Sequence, residues 1–274
     1  MAAPATVADS EASPDERARL AVLAALREHD DLARDYALKG GYVLHRVYGS
    51  PRPSFDLDLD HVDRHSLDPD GPNRATLEDV CRRLNATLPV VAGRFGLDDA
   101  GLRVVRWSDR LATAFAEARY RSADGSGGAV EVQVTLCERI PQTALARVDG
   151  VPVLIATLDV LVADKLKVLL QQTGRHDVRY ADVYDLWFAL VEAPFVPDPA
   201  AVREALLTAA ETWPSLQPVT AASYAGPAVR AFAEQGYRAL RAEEPDLPFA
   251  PFDVVWAEIL AFVGALGLPE GEAP

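Results

Sequence analysis

Six consecutive residues, Phe55-Asp56-Leu57-Asp58-Leu59-Asp60, alternate apolar and acidic without a fault. Successive side chains leave a strand on opposite sides, so this pattern is that of a strand with one buried face. It predicts Phe55, Leu57 and Leu59 toward a core and Asp56, Asp58 and Asp60 together on the other side. Carboxylates two positions apart on a strand stand about 6–7 Å from each other. At that spacing they repel unless a cation lies between them. A hard ion such as Mg2+ or Mn2+ is held by one or two carboxylates, completed by phosphate oxygens and water. A solvated sheet face is the plainer account of the same alternation, and the residues upstream weigh against it.

Those residues are YALKGGYVLHRVYGSPRP, from Tyr36 to Pro53. Tyr36 to Leu38 is strand-like. Gly40 and Gly41 make a break where backbone can approach a ligand closely. From Tyr42 to Tyr48 the residues Val43, Leu44 and Val47 recur at helical spacing. Gly49, Ser50, Pro51 and Pro53 end that helix and turn the chain. A glycine pair opening a helix offers free N–H groups and a positive dipole end to phosphate. A phosphate cradle followed by an acidic strand is what phosphoryl or nucleotidyl transfer requires.

The 274 residues suit one large domain or two smaller ones. A net charge of −14 excludes a protein that coats nucleic acid generally. It leaves room for a local basic groove, with arginines clustered at Arg82-Arg83, at Arg103, Arg106 and Arg110, and at Arg175 and Arg179. No apolar run of about 18 residues is present, so no membrane span is expected. The first residues lack the basic and apolar regions of a secretory signal. Cys81 and Cys137 have no metal-ligand spacing and are expected to be reduced thiols. A cytoplasmic protein is the expectation.

Residues 1–13 are rich in Ala, Pro, Ser and Asp and are expected to be disordered. Residues 14–156 form the expected catalytic core. A helix is predicted over 15–29, and another over 74–88, ended by Pro89. Residues 90–102 are ambiguous because Gly93, Gly96 and Gly101 break any period. Thr113–Ser122 and Val130–Thr135 alternate as strands, joined by the turn Asp124-Gly125-Ser126-Gly127-Gly128. Glu131 is a candidate third carboxylate beside the Asp56–Asp58 strand. Strands over 144–148 and 151–155 follow. Residues 157–274 read as helical and complete the cleft. Thr157 is the expected N-cap of a helix carrying Lys165. A further helix over 180–192 places Asp182 and Asp185, three apart, on one side. The plain account of Lys165 and Asp185 is an ion pair between two helices; the functional one has the lysine reaching a triphosphate. The fold class is α/β (α+β): a mixed sheet flanked by helices, with a helical C-terminal region.

Four motifs in order, LKGGYVL, RPSFDLDLD, DVLVADKLKVLL and RYADVYDLWFAL, resemble the AbiEii/AbiGii nucleotidyltransferase toxins. That family is similar to the MenT toxins and belongs to the DNA polymerase β-like nucleotidyltransferase superfamily. The resemblance spans roughly residues 36–190. It implies a nucleotide cradle at Gly40 and Gly41, metal-binding Asp56 and Asp58 preceded by Arg52 and Ser54, a helix lysine at Lys165 and a later acid at Asp185. Glu131 would be the superfamily's third strand carboxylate. The implied activity is Mg2+- or Mn2+-dependent transfer of NMP from an NTP to a tRNA 3′ end or a protein hydroxyl. The implied partner is a cognate antitoxin protein. The same core would also serve a small-molecule, antibiotic-modifying nucleotidyltransferase, or a degenerate domain used only for binding. The pattern departs at Tyr42, where the family usually carries Thr or Ser, so a phenol stands where a hydroxyl beside the triphosphate is expected.

Overall fold

The computed structural model describes residues 12–63, 73–176 and 178–269. Most of the segment expected to be disordered, residues 1–13, lies outside these. The chain divides into two compact units, one made of Met1–Val43 and Ser54–Ala156, the other of Leu44–Pro53 and Thr157–Pro274.

The first unit is built on a sheet that, among the described residues, has seven strands: β1 (Tyr36–Lys39), β2 (Leu57–His61), β3 (Leu97–Ser108), β4 (Thr113–Ser122), β5 (Gly127–Thr135), β6 (Thr143–Val148) and β7 (Val151–Ala156). Their order is β3-β4-β5-β2-β1-β7-β6. β1 pairs antiparallel with β2 and parallel with β7, and β2 pairs parallel with β5, so the sheet is mixed. Two long helices, α1 (Pro14–Arg27) and α4 (Asn73–Ala92), cover one face. On that face Val130, Val132 and Val134 stand opposite Ala118, Ala116 and Ala114, all buried. Alanine beside valine keeps the surface shallow enough for helices to lie close. α1 starts where Ser13 Oγ accepts the Glu16 N–H at 3.2 Å, with Pro14 in the first turn. A short helix, α2 (Asp30–Asp35), leads into β1, and α3 (Gly40–Arg46) leaves it.

Several expectations are corrected. Phe55 does not enter the core. It is 58% exposed, and the strand begins at Leu57. The carbonyl of Phe55 is taken by the Arg19 side chain, at 2.6 Å from Nε, and the guanidinium lies 5.1 Å from the centre of its ring. α4 runs through Pro89 to Ala92. Leu88, Val91 and Ala92 are each 1% exposed. Burying residues of the Leu and Val type yields about 1.5–3 kcal/mol each, enough to offset the roughly 3 kcal/mol lost at an interior proline. The ambiguous stretch becomes the twelve-residue β3, whose register shifts between Leu97 and Asp99 and again between Val104 and Arg106. Each bulge resets the alternation and erases period two from the sequence. Both cysteines are buried, and neither is in a disulfide.

The second unit is helical: α5 (Leu158–Arg175), α6 (Asp182–Trp187) continuing as a π-turn to Glu192, α7 (Pro199–Thr212), α8 (Ala221–Tyr224), α9 (Pro227–Glu243) and α10 (Phe252–Ala265). Thr157 sits at the start of α5 without a side-chain capping bond. α5 packs against α7, α9 and α6. An aromatic cluster joins α6, α9 and the entry to α10, with Tyr184 and Tyr237 both edge-on to Phe249, at 5.2 and 5.3 Å. No described helix is long and apolar enough to cross a membrane.

α9 approaches the backbone before α6 so closely that a β-carbon at Gly236 would collide with the Arg179 carbonyl. Gly236→Ala is therefore expected to destabilise the protein by about 1–3 kcal/mol, read as a lower urea midpoint, although alanine is the better helix former.

Candidate functional site

The first group of predicted residues lies in the first unit. β1 and β2 run antiparallel with Lys39 opposite Asp58 and Leu38 opposite Leu59. Immediately after Lys39 the chain turns at Gly40, whose φ is +79°. That left-handed backbone suits glycine. A second constraint is stronger: a β-carbon on Gly40 would collide with Asp58 Oδ2. The carboxylate of Asp58 therefore lies directly on the backbone at the start of α3. Gly41 is the next residue of that helix.

The three acids of the alternating run have three different settings. Asp60 is only 2% exposed, and its carboxylate lies 2.7 Å from Lys39 Nζ. Asp58 is half-buried. Asp56 is exposed and precedes β2. Lys39 was not among the residues singled out from sequence. Only the β1–β2 register shows that it stands across from Asp58 and two pairs along from Asp60.

The register extends across the sheet. Asp58 pairs with Gln133 on β5, Gln133 with Phe115 on β4, and Phe115 with Arg106 on β3. Lys39, Asp58, Gln133, Phe115 and Arg106 thus form one row over the face that α1 and α4 do not cover. The Arg106 guanidinium lies 3.7 Å from the centre of the Phe115 ring. Glu131 is exposed, two residues before Gln133 and opposite Glu117. The side chain beside Asp58 on β5 is therefore Gln133, and Glu131 lies toward the Asp56 end.

Ser54 precedes Phe55 and is half-buried in the first unit. Tyr42 is fully buried, and its hydroxyl donates to Glu16 Oε1 at 2.6 Å. The phenol that departs from the family pattern thus faces α1 and the core.

A divalent cation fits the first-unit residues in donor type. Asp56 and Asp58 supply hard oxygens, and the bare backbone at Gly40 leaves Asp58 held against a surface without side chain. Among the described residues no group of three or more His, Cys, Asp or Glu forms a metal site. Mg2+ does not need one, since it keeps several waters and takes one or two carboxylates plus phosphate oxygens.

The remaining predicted residues lie in the second unit, around α6. Lys165 on α5 contacts Asp182 Oδ1 at 2.6 Å and Asp185 Oδ2 at 2.8 Å. Arg52 grips both oxygens of Asp185, through Nε at 2.7 Å and Nη2 at 2.8 Å. Arg179 Nε reaches Asp182 Oδ2 at 3.2 Å. Both carboxylates are buried. These five side chains carry three positive charges against two negative, an excess of one. Burial opposes the charge on Lys165, but the two aspartates outweigh it and raise its pKa. Burial likewise opposes charge on Asp182, and Lys165 with Arg179 outweighs it, lowering its pKa. Burial also works against Arg52, and Asp185 more than compensates, so its pKa is raised. The ion pair expected as the plain account of Lys165 and Asp185 is present. It is one edge of a larger cluster in which Asp182 and Arg179 take part. The spacing of Asp182 and Asp185 was visible in the sequence; the shared lysine was not.

The family described as "Nucleotidyl transferase AbiEii toxin, Type IV TA system" matches residues 21–258. No curated protein matches in sequence. Among solved structures, similarity is found to a Helicobacter pylori protein described as a candidate nucleotidyltransferase, at 16% identity and a TM-score of 0.48, covering 92% of each chain. JHP933 from Helicobacter pylori is 14% identical, with a TM-score of 0.46, covering 92% of this chain and 90% of its own. An antigenic nucleotidyltransferase-like protein from Paracoccidioides brasiliensis is 20% identical, with a TM-score of 0.44, covering 74% of this chain and 91% of its own.

Two predictions follow from the two groups. Gly40→Ala is expected to cost about 1–3 kcal/mol through the clash with Asp58, seen as a lowered thermal midpoint, and Gly49→Ala, whose β-carbon would meet nothing, is the matched left-handed control. For the buried cluster the signs are opposite at the two ends of the pH scale. The folded pKa of Asp182 is depressed, so its stabilisation is present above the ordinary carboxylate value of about 3.9 and drains as pH falls through the folded value. The folded pKa of Lys165 is raised, so its contribution holds below about 10.4 and is lost as pH rises through the folded value. Asp182→Asn should lower the urea midpoint at pH 7, by an amount equivalent to about 3–5 kcal/mol for a broken buried pair. It should also flatten the fall in stability below about pH 4.

Proposed function

Because this chain belongs to the AbiEii nucleotidyl transferase toxin family, we propose that it transfers a nucleoside monophosphate from an NTP to an acceptor hydroxyl, as the toxin of a toxin–antitoxin pair. The observation that carries this reading is the Asp58 carboxylate seated on the backbone of Gly40. It puts an acid directly against the glycine backbone that opens α3.

The reaction joins the acceptor oxygen to the α-phosphorus, breaks the bond to the β-phosphate oxygen, and releases pyrophosphate and the hydroxyl proton. Asp56 and Asp58 are the residues that would hold Mg2+ or Mn2+, with Glu131 as the third carboxylate. When bound, the cation offsets the charge of the triphosphate and polarises its phosphoryl oxygens. Gly40 and Gly41 admit the phosphates to the backbone, and Ser54 stands before the acidic strand. Lys39 pairs with Asp60 at 2.7 Å. In the second unit Lys165 is the cation assigned to phosphate charge. Asp185 orients it at 2.8 Å and is oriented in turn by Arg52. Glu131, exposed on β5, is the base for the acceptor proton, since both oxygens of Asp185 are already held by Arg52 and Lys165. The acceptors consistent with the family are a tRNA 3′ end and a protein hydroxyl, and the partner is a cognate antitoxin.

Purified protein with each labelled NTP, Mg2+ and total cellular RNA is expected to place label in tRNA or in protein. Asp58→Asn should reduce incorporation to background and relieve growth inhibition while keeping the wild-type thermal midpoint to within a few degrees. Label that persists in Asp58→Asn would show the cation assignment to be wrong. Label in neither acceptor with the wild-type protein would remove the toxin reading.

A further inference from the structure

Arg19 lies in the middle of α1 and is 5% exposed. Its guanidinium serves three partners within the first unit. Nε donates to the Phe55 carbonyl at 2.6 Å, Nη1 to Glu16 Oε2 at 3.2 Å, and the plane lies over the Phe55 ring. The other oxygen of Glu16 accepts the Tyr42 hydroxyl at 2.6 Å. A continuous chain of contacts therefore runs from Tyr42 through Glu16 and Arg19 to Phe55. Tyr42 directly follows Gly41, and Phe55 directly precedes Asp56. Both ends of the proposed cation and phosphate site are fastened to the same turn of the same helix.

The fastening is needed because Phe55 and Asp56 precede β2 and have no ladder partner. A carbonyl held by a charged donor is bound more strongly than one held by a neutral donor. The aromatic ring over the guanidinium adds a second restraint on the same residue. A buried Arg–Glu pair is a poor way to gain stability, since apolar residues of similar size often do as well. What an apolar substitute cannot do is grip the main chain at one atom.

We infer that Arg19 is a positioning residue, which with Glu16 and Tyr42 sets the place of Asp56 relative to Gly40 and Asp58. It touches neither nucleotide nor cation and acts through the chain segment it holds. The inference rests on Asp56 and Asp58 being the cation ligands. It also gives Tyr42 a purpose: the hydroxyl absent from the expected place beside the triphosphate is used to anchor the loop from behind.

The test uses the full chain and Mn2+ alone, with free Mn2+ measured by its electron paramagnetic resonance signal. Arg19→Lys keeps the charge and loses the Nε donor. Tyr42→Phe removes one oxygen and keeps the buried ring. Mn2+ affinity should fall about 10-fold in Arg19→Lys, as for loss of an outer-shell partner, and by a smaller factor in the same direction in Tyr42→Phe. Transfer at saturating Mn2+ should recover most of the wild-type rate. A merely structural role would lower the thermal midpoint and leave the affinity of the folded protein unmoved, and that result overturns the inference. If Arg19→Lys fails to fold, Tyr42→Phe decides alone. Asp58→Asn separates the two claims: if it binds Mn2+ as the wild type does, the cation reading itself is lost, and this inference with it.

Discussion

The carboxylate of Asp58 occupies the space that any side chain at Gly40 would need. The arrangement of the first unit follows from that approach. It requires β1 and β2 in one register, with Lys39 across from Asp58, and it requires the chain to leave β1 with a left-handed turn at the next residue. It also divides the labour among the acids. Asp60 is neutralised by Lys39 in the interior, while Asp56 remains outside the strand and exposed. A run of three acids with one period therefore resolves into three settings: one buried beside Lys39, one half-buried against Gly40 and one exposed.

The second unit solves a different electrostatic problem. Asp182 and Asp185 are buried on a six-residue helix whose side chains are all buried. Charges in such a place persist only when paired and hydrogen-bonded. Lys165 serves both acids, Arg52 closes on Asp185 as a fork, and Arg179 completes Asp182. Removing any one partner leaves another uncompensated, so these residues behave as a group.

The sequence was most legible where local pattern and tertiary packing agree. Leu57 and Leu59, Val130 to Val134 and the alanines of β4 fall on the face their alternation predicts. Phe55 continues the same alternation and breaks it, because its carbonyl is claimed by an arginine 36 residues away, a partner no local pattern can show. β3 was hidden by its own bulges, and the end of α4 by a proline that burial of Leu88 and Val91 overrides. Within the candidate site, Lys165 and Asp185 were visible as motif residues. Asp182 was visible as a neighbour, but its role depends on how α5 and α6 pack. Tyr42 was visible as a departure, and only the Glu16 contact shows where its hydroxyl went.

Leu44–Pro53 belongs to the second unit although the chain on both sides of it belongs to the first. Arg52 and the acid it grips are 133 residues apart. During synthesis the guanidinium therefore emerges long before its partner exists and stays hydrated while the intervening strands are made. A chain interrupted between β2 and Asp185 contains the glycine pair and the acidic run but lacks the acid that Arg52 grips.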